Sequence, residues 1–218
     1  MYCAIIGDII CSRFLSYEQR CNIEPAFNRI FDHINNTYSK YIQADFCLLA
    51  GDEFEGLLSS QQIAPKIIQE LIMCLYEENI TVRIGSATGA LTMISNIVGH
   101  VDGPAFHSAR NELNRLQRAN SSHWFQISMQ ANTVEQTFVN NYLSILTALT
   151  KNWTKEQAHI VWMTTKNKNN YSLASKQLGI SVSSLTEKLK VARFEEYLDA
   201  WSYLEQHFNI SENISLLE

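Results

Sequence analysis

The period of the apolar positions changes repeatedly along this chain, and each change marks an element. Residues 2–10 are almost continuously apolar and read as a strand. Phe27, Ile30, Phe31, Ile34, Tyr38 and Tyr41 then fall at helical spacing and predict a long amphipathic helix over about residues 24–42. In Leu48-Leu49-Ala50-Gly51-Asp52-Glu53-Phe54-Glu55-Gly56-Leu57-Leu58, two apolar segments of period two flank a Gly-Asp core, the pattern of a β-hairpin. Pro65 suits the first turn of a helix whose buried stripe is Ile67, Ile68, Leu71, Ile72 and Leu75. Residues 81–88 alternate as a strand, Gly89 turns the chain, and residues 90–94 form a short extended piece before Gly99 and Gly103. Phe106, Ala109, Leu113 and Leu116 mark another helix, and residues 123–129 the last strand. The order β-α-β-β-α-β-α-β predicts an α+β sheet of ferredoxin-like type.

Strand signals stop at about residue 133. Val134, Phe138, Tyr142, Ile145 and Leu149 predict a connecting helix, and the remainder of the chain reads as all-α, with the polar loop Lys166-Asn167-Lys168-Asn169-Asn170 between two helices. The expected organisation is therefore an α+β domain over 1–130, a connector over 131–152 and a helical domain over 153–218. Trp153, Trp162, Tyr197, Trp201 and Tyr203 are expected in the helical core. The stretch from Ser172 to Lys190 reads as helix, tight turn, helix: Gly179 supplies the turn, Ser181 the N-cap, and Ala174, Leu178, Ile180, Leu185 and Leu189 the seam.

The 218 residues carry a formal net charge of −5 and enough apolar side chains for a sizeable core. The charge is unevenly spread. Between Lys151 and Arg193 stand eight Lys and Arg residues against Glu156 and Glu187, whereas the segment after Arg193 holds six acids and no Lys or Arg. Cys3, Cys11, Cys21, Cys47 and Cys74 are odd in number and form no CxxC pair, which argues against disulfides and zinc. With no basic leader and no apolar run of membrane-spanning length, the expectation is a reduced, cytoplasmic protein without a membrane partner.

Chemistry is suggested by the acids. Asp8 closes the first strand, Asp52 occupies the hairpin turn and Glu53 comes directly after it. Strand-end carboxylates brought together can hold Mg²⁺ or Mn²⁺, because hard divalent ions take oxygen ligands and keep positions open for nucleotide phosphates. The plainer alternative is that Asp52 caps the turn and Glu53 is solvated.

Gly51-Asp52-Glu53-Phe54 resembles the signature hairpin of diguanylate cyclases, with Ala50 in place of the first glycine. Ile5-Ile6-Gly7-Asp8-Ile9-Ile10 is similar to the first-strand metal motif of those enzymes and of class III nucleotidyl cyclases. Val82-Arg83-Ile84-Gly85-Ser86-Ala87-Thr88-Gly89 resembles their glycine-spaced fourth strand, and Asp102-Gly103-Pro104-Ala105-Phe106-His107-Ser108-Ala109-Arg110 the helix after it. The combination of Ile-Gly-Asp-Ile-x-x-Ser-Arg, Gly-Asp-Glu-Phe and Asp-Gly-Pro-Ala-Phe-His-x-Ala-Arg is closer still to the SatD family, which joins a cyclase-like N-terminal region to a helical C-terminal one. The resemblance implies a nucleotidyl-cyclase-type sheet, with Asp8, Asp52 and Glu53 as metal-site residues.

The departures bear on catalysis. Where class III cyclases place a base-reading lysine before the hairpin aspartate, this chain has Phe46-Cys47-Leu48-Leu49. Phe106 stands where they carry an asparagine. Metal ligands are kept and base-reading groups are not. Arg13, Arg110 and His107 are candidates for binding a phosphate or nucleotide ligand, against the plainer roles of surface ion pairs for the arginines and packing on Phe106 for the histidine. The other histidines show no metal-ligand spacing.

The run after Gly179 resembles the recognition helix of Fis-type and other bacterial regulators. On that reading Ser183, Ser184, Thr186 and Glu187 face outward, while Lys188, Lys190, Arg193, Lys166 and Lys168 contact DNA phosphates. The leading expectation is a homodimeric DNA-binding regulator whose cyclase-like domain senses a nucleotide or phosphate or serves for dimerisation. The alternatives are a metal-dependent cyclase-like enzyme acting on ATP or GTP, and a non-catalytic assembly module.

Overall fold

The computed structural model of the chain describes residues 1–14, 16–119, 125–129 and 133–215. Five strands, β1 (Tyr2–Ile9), β2 (Ile42–Ala50), β3 (Glu53–Leu58), β4 (Val82–Gly89) and β5 (Phe125–Met129), form one sheet in the order β2-β3-β1-β4-β5. Neighbours among the first four pair antiparallel, and β5 joins β4 in parallel. The β1-α1-β2-β3-α2-β4 unit, with α1 spanning Tyr17–Thr37 and α2 Ala64–Glu77, has the split-βαβ order that the apolar pattern predicts. The start of the last predicted strand, residues 123 and 124, lies outside the described residues.

Burial explains why β1 is apolar up to Asp8: both of its faces are covered. Cys3, Ile5 and Ile9 pack into the larger core beneath α1 and α2. Ala4 and Ile6 pack with Ala87, Ala105, Ala109 and Leu113 beneath α3 (Pro104–Ala119). Gly7 and Gly56 leave room for the rings of Phe54 and Phe46, which would stand 2.2 and 2.3 Å from an added Cβ. At Gly85 an added Cβ would lie 2.3 Å from the Ala109 carbonyl oxygen and 2.6 Å from the Leu113 nitrogen. The backbone of α3 therefore rests directly on β4.

Helix α1 begins seven residues before the predicted start and ends before Tyr38. Its first two turns are almost wholly exposed, so they carry no apolar stripe to read, and Pro25 sits inside the helix instead of opening it. Beyond β5 come α4 (Thr133–Thr150), α5 (Lys155–Lys166), α6 (Tyr171–Leu178), α7 (Val182–Val191) and α8 (Phe194–Ser215). These helices share the larger core with the sheet. Trp153 stacks obliquely on Tyr197 at 4.9 Å between centroids and donates its indole N–H to the Ala192 carbonyl, while the Tyr76 hydroxyl of α2 donates to the Trp153 carbonyl. Trp162 and Trp201 are buried as expected, but Tyr203 is 62% exposed, on the outer side of α8.

Candidate functional site

One tight turn and one close helix contact build the acidic site. Gly51, at φ +69°, makes the first position of the two-residue hairpin connection, a conformation that a side chain disfavours. Asp52 comes next and accepts a hydrogen bond from the Ile9 amide through its backbone carbonyl, which docks the turn on the end of β1. Directly across from Asp8 on β3 is Glu53, and on the other side, on β4, Arg83. Because register partners share a face, Asp8, Glu53 and Arg83 all turn toward α3.

The tight seat of α3 on Gly85 brings its polar residues onto these acids. Arg83 Nη1 and Gln117 Nε2 both donate to Oδ2 of Asp8 at 2.8 Å. Arg110 grips Glu53 with both terminal nitrogens and also donates to Glu55 Oε1 at 2.8 Å. Burial raises the Asp8 carboxyl above the ordinary range, a push reinforced by the charges of Asp52 and Glu53 and opposed by Gln117 and Arg83. Glu55 is raised by burial too, against the pull of Arg110, whose own guanidinium is held charged by its bonds to Glu53.

One atom of this network stands out. Oδ1 of Asp8 is buried and has no hydrogen-bond partner, a costly state for a carboxylate oxygen. Among the described residues no three His, Cys, Asp or Glu side chains converge on one point, so those residues offer no all-protein metal cage. An orphaned, buried carboxylate oxygen beside the Asp52 charge nevertheless suits Mg²⁺ or Mn²⁺, since such ions bind through one or two carboxylates and take their remaining ligands from phosphate and water. Asp52 itself lines an adjoining cleft of about 520 Å³ between the hairpin and α1, with Ser12, Arg20, Glu24 and Asn28 around it. Arg20 donates from Nη2 to the Ser12 carbonyl at 3.3 Å across that cleft.

The structure thus gathers Asp8, Asp52, Glu53 and Arg110 of the expected site, and adds Arg83, Glu55, Gln117 and Arg20. Gln117 lies two turns beyond Arg110 on α3, and Arg83 shares the face of Gly85; with those faces known, helical and strand spacing would have found both. His107 is not brought in: it is exposed and pairs with Asp102 at 3.0 Å, beside its own helix start, instead of packing as an apolar group on Phe106. The backbone at Arg13 forms a short 3₁₀ turn over Ser12–Phe14.

The second set of expected residues lies on and around α7. Gly179 at φ +67° ends α6, and the Ser181 hydroxyl accepts from the Ser184 amide to cap α7. Leu185 and Leu189 are buried, whereas Ser183, Thr186, Glu187 and Lys190 are exposed. Lys188 is tied to Glu156 of α5 at 2.7 Å and Arg193 to Glu196 at 2.8 Å. Lys166 and Lys168 sit at the other end of α5 and in the loop after it.

The model of the SatD family matches residues 2–204. A search of curated protein sequences finds no match. Solved structures with partial similarity include the catalytic core of a rhodopsin-guanylyl cyclase with converted specificity in complex with ATPαS, 14% identical over 64% of this chain and 79% of that one, at a TM-score of 0.44. The guanylyl cyclase Cya2 is 16% identical over 62% and 77%, also at 0.44. An adenylate/guanylate cyclase/hydrolase from Silicibacter pomeroyi is 18% identical over 56% and 83%, at 0.40.

Proposed function

We propose that this chain, which belongs to the SatD family, binds a nucleoside triphosphate or a related phosphate together with a divalent cation at the hairpin end of β1. The observation that carries the reading is the unpartnered, buried Oδ1 of Asp8 beside the charge of Asp52. The chain would supply one or two carboxylate ligands and the phosphates the rest. The cleft between α1 and the hairpin gives the ligand room, and Arg20 gives a cation on its wall. Asp8 and Asp52 would hold the ion, while Glu53, clamped by Arg110, would shape the site without ligating it.

The ion would supply Lewis-acid polarisation of a bound phosphate. Leu48 and Phe106 stand where the resemblance would place base-reading groups, so cyclisation is expected to be slow or absent. The test is calorimetric titration with Mn²⁺ alone, with nucleotide alone and with both. Tight binding that needs both, and that Asp52→Asn abolishes, supports the reading. Binding of nucleotide that ignores the metal and Asp52 would sink it. Product analysis of the same mixtures asks separately whether ATP or GTP is turned over.

A second reading concerns the helical region. The capped α7, with Ser183, Thr186, Glu187 and Lys190 outward and Gly179 setting the turn before it, favours docking into a DNA major groove. Two of the expected phosphate contacts, Lys188 and Arg193, are engaged by Glu156 and Glu196 and would have to exchange partners. Gel shifts on random duplexes at several salt concentrations test it. Absence of a shift at low salt refutes it.

A further inference from the structure

We propose that the solvent face of α4 is a pairing surface on which a second copy of this chain docks, helix along helix. Helix α4 packs inward through Val139, Leu143 and Leu146. Its opposite side is not the polar surface expected of a helix already anchored by one stripe. Phe138 and Ile145 are 67% and 68% exposed, and Asn141 and Ala148 are exposed on the same side. The positions 138, 141, 145 and 148 step by three, four and three residues, the spacing of a two-helix seam.

Neighbouring groups extend the patch. The Phe138 and Tyr142 rings stack at 6.3 Å. The Tyr142 hydroxyl donates to the Ala200 carbonyl of α8, which carries the exposed Tyr203. Single exposed apolar residues are ordinary, but several grouped on one helix face mark an interaction surface.

Charge and polarity select the occupant. In the whole of α4 the charged residue is Glu135, near its start. A face without charge offers nothing to select an oppositely charged partner, yet it suits a second copy of a chain whose net charge of −5 repels its like elsewhere. Asn141 sits inside the seam, and a carboxamide both donates and accepts, so in a parallel two-fold pair it meets its complement in the other copy's Asn141. Buried asparagines at such positions fix register and strand number at some expense of stability. An 18-residue helix is about 27 Å long, so the contact is at the small end of specific interfaces and the dimer reversible.

The experiment is sedimentation velocity on the full chain over a concentration series extending to the hundred-micromolar range. It depends on neither the acidic cleft nor α7. Wild type is expected to show a monomer–dimer equilibrium, and Ile145→Glu to be monomeric throughout with an unchanged far-ultraviolet circular dichroism spectrum, since Ile145 is already exposed. Asn141→Leu removes the polar seam residue and is expected to tighten the dimer by at least several-fold, a gain that misfolding cannot imitate. A chain that stays monomeric overturns the proposal. So does a dimer whose dissociation constant neither variant changes, which would place the contact elsewhere.

Discussion

Arg110 and Glu53 lie 57 residues apart in the chain and meet as a two-pronged ion pair, with Arg110 reaching on to Glu55. A single guanidinium therefore joins α3 to β3 across the sheet. Replacing it with alanine leaves two carboxylates side by side, one of them buried. About a third of the Arg110 side chain is exposed, so Arg110→Ala is expected to cost about 1–2 kcal/mol, below the cost of breaking a fully buried pair. Arg110→Lys should recover only part, because an ammonium cannot fork onto Glu53 and Glu55 together. Urea denaturation of the three proteins measures it; equal midpoints would refute the clamp.

Gly85 places Arg110 and Gln117. An alanine there would put Cβ 2.3 Å from the Ala109 carbonyl oxygen, and backbone cannot step aside as a side-chain tip can. Gly85→Ala is expected to destabilise by about 1–3 kcal/mol, toward the upper end, and to weaken ligand binding because α3 carries Gln117 away from Asp8. A thermal melt with no loss would show that α3 does not rest on β4 at this point.

Asp8 and Glu55 give the apo protein a definite pH dependence. Burial raises both carboxyls, so the folded chain holds these protons more tightly than the unfolded chain does. Their contribution to stability is fully present below the ordinary carboxylate values near about 4. It is lost as pH rises through the raised, folded values. Asp8→Asn is expected to flatten the decline that sets in above the ordinary carboxylate value of about 4, read as chemical-denaturation midpoints across a pH series. A slope identical to wild type would show that Asp8 does not titrate there.

The sign reverses for ligand binding. A metal-bound phosphate held as proposed would require the Asp8 carboxylate, and a proton on it would compete with the ion. Affinity for the Mn²⁺–nucleotide pair should therefore rise with pH through the raised Asp8 value and level off once Asp8 is ionised. Affinity independent of pH across that range would count against Asp8 as a ligand.

On α7, Lys190 is exposed, whereas Lys188 is engaged by Glu156. If α7 meets DNA, Lys190→Ala should weaken binding on all sequences and lower the salt slope by roughly one. Lys188→Ala should do less. Gel shifts across a salt series separate the two, and equal effects would contradict the geometry.

Local patterning determined much of this protein. The strand order of elements, the Gly-Asp hairpin, the capped turn at Gly179 and Ser181, and the burial of Leu185 and Leu189 stem from period and turn chemistry, which act within a few residues of the chain. The acids Asp8, Asp52 and Glu53 were legible for the same reason, since strand ends and turns are short-range features. Their partners were not. Register decided that Glu53 stands opposite Asp8, and the hairpin turn decided that Asp52, next to Glu53 in sequence, lines the cleft beside α1 while its charge still acts on Asp8. The contact of α3 with Gly85 decided that Gln117 and Arg110 reach these acids, across 109 and 57 residues of sequence. The exposure of Phe138, Ile145 and Tyr203 was also a tertiary outcome. Apolar spacing shows that a helix has apolar positions, but which of them are covered depends on where β5 and α8 fall, and the fold spent α4's burial on Val139, Leu143 and Leu146.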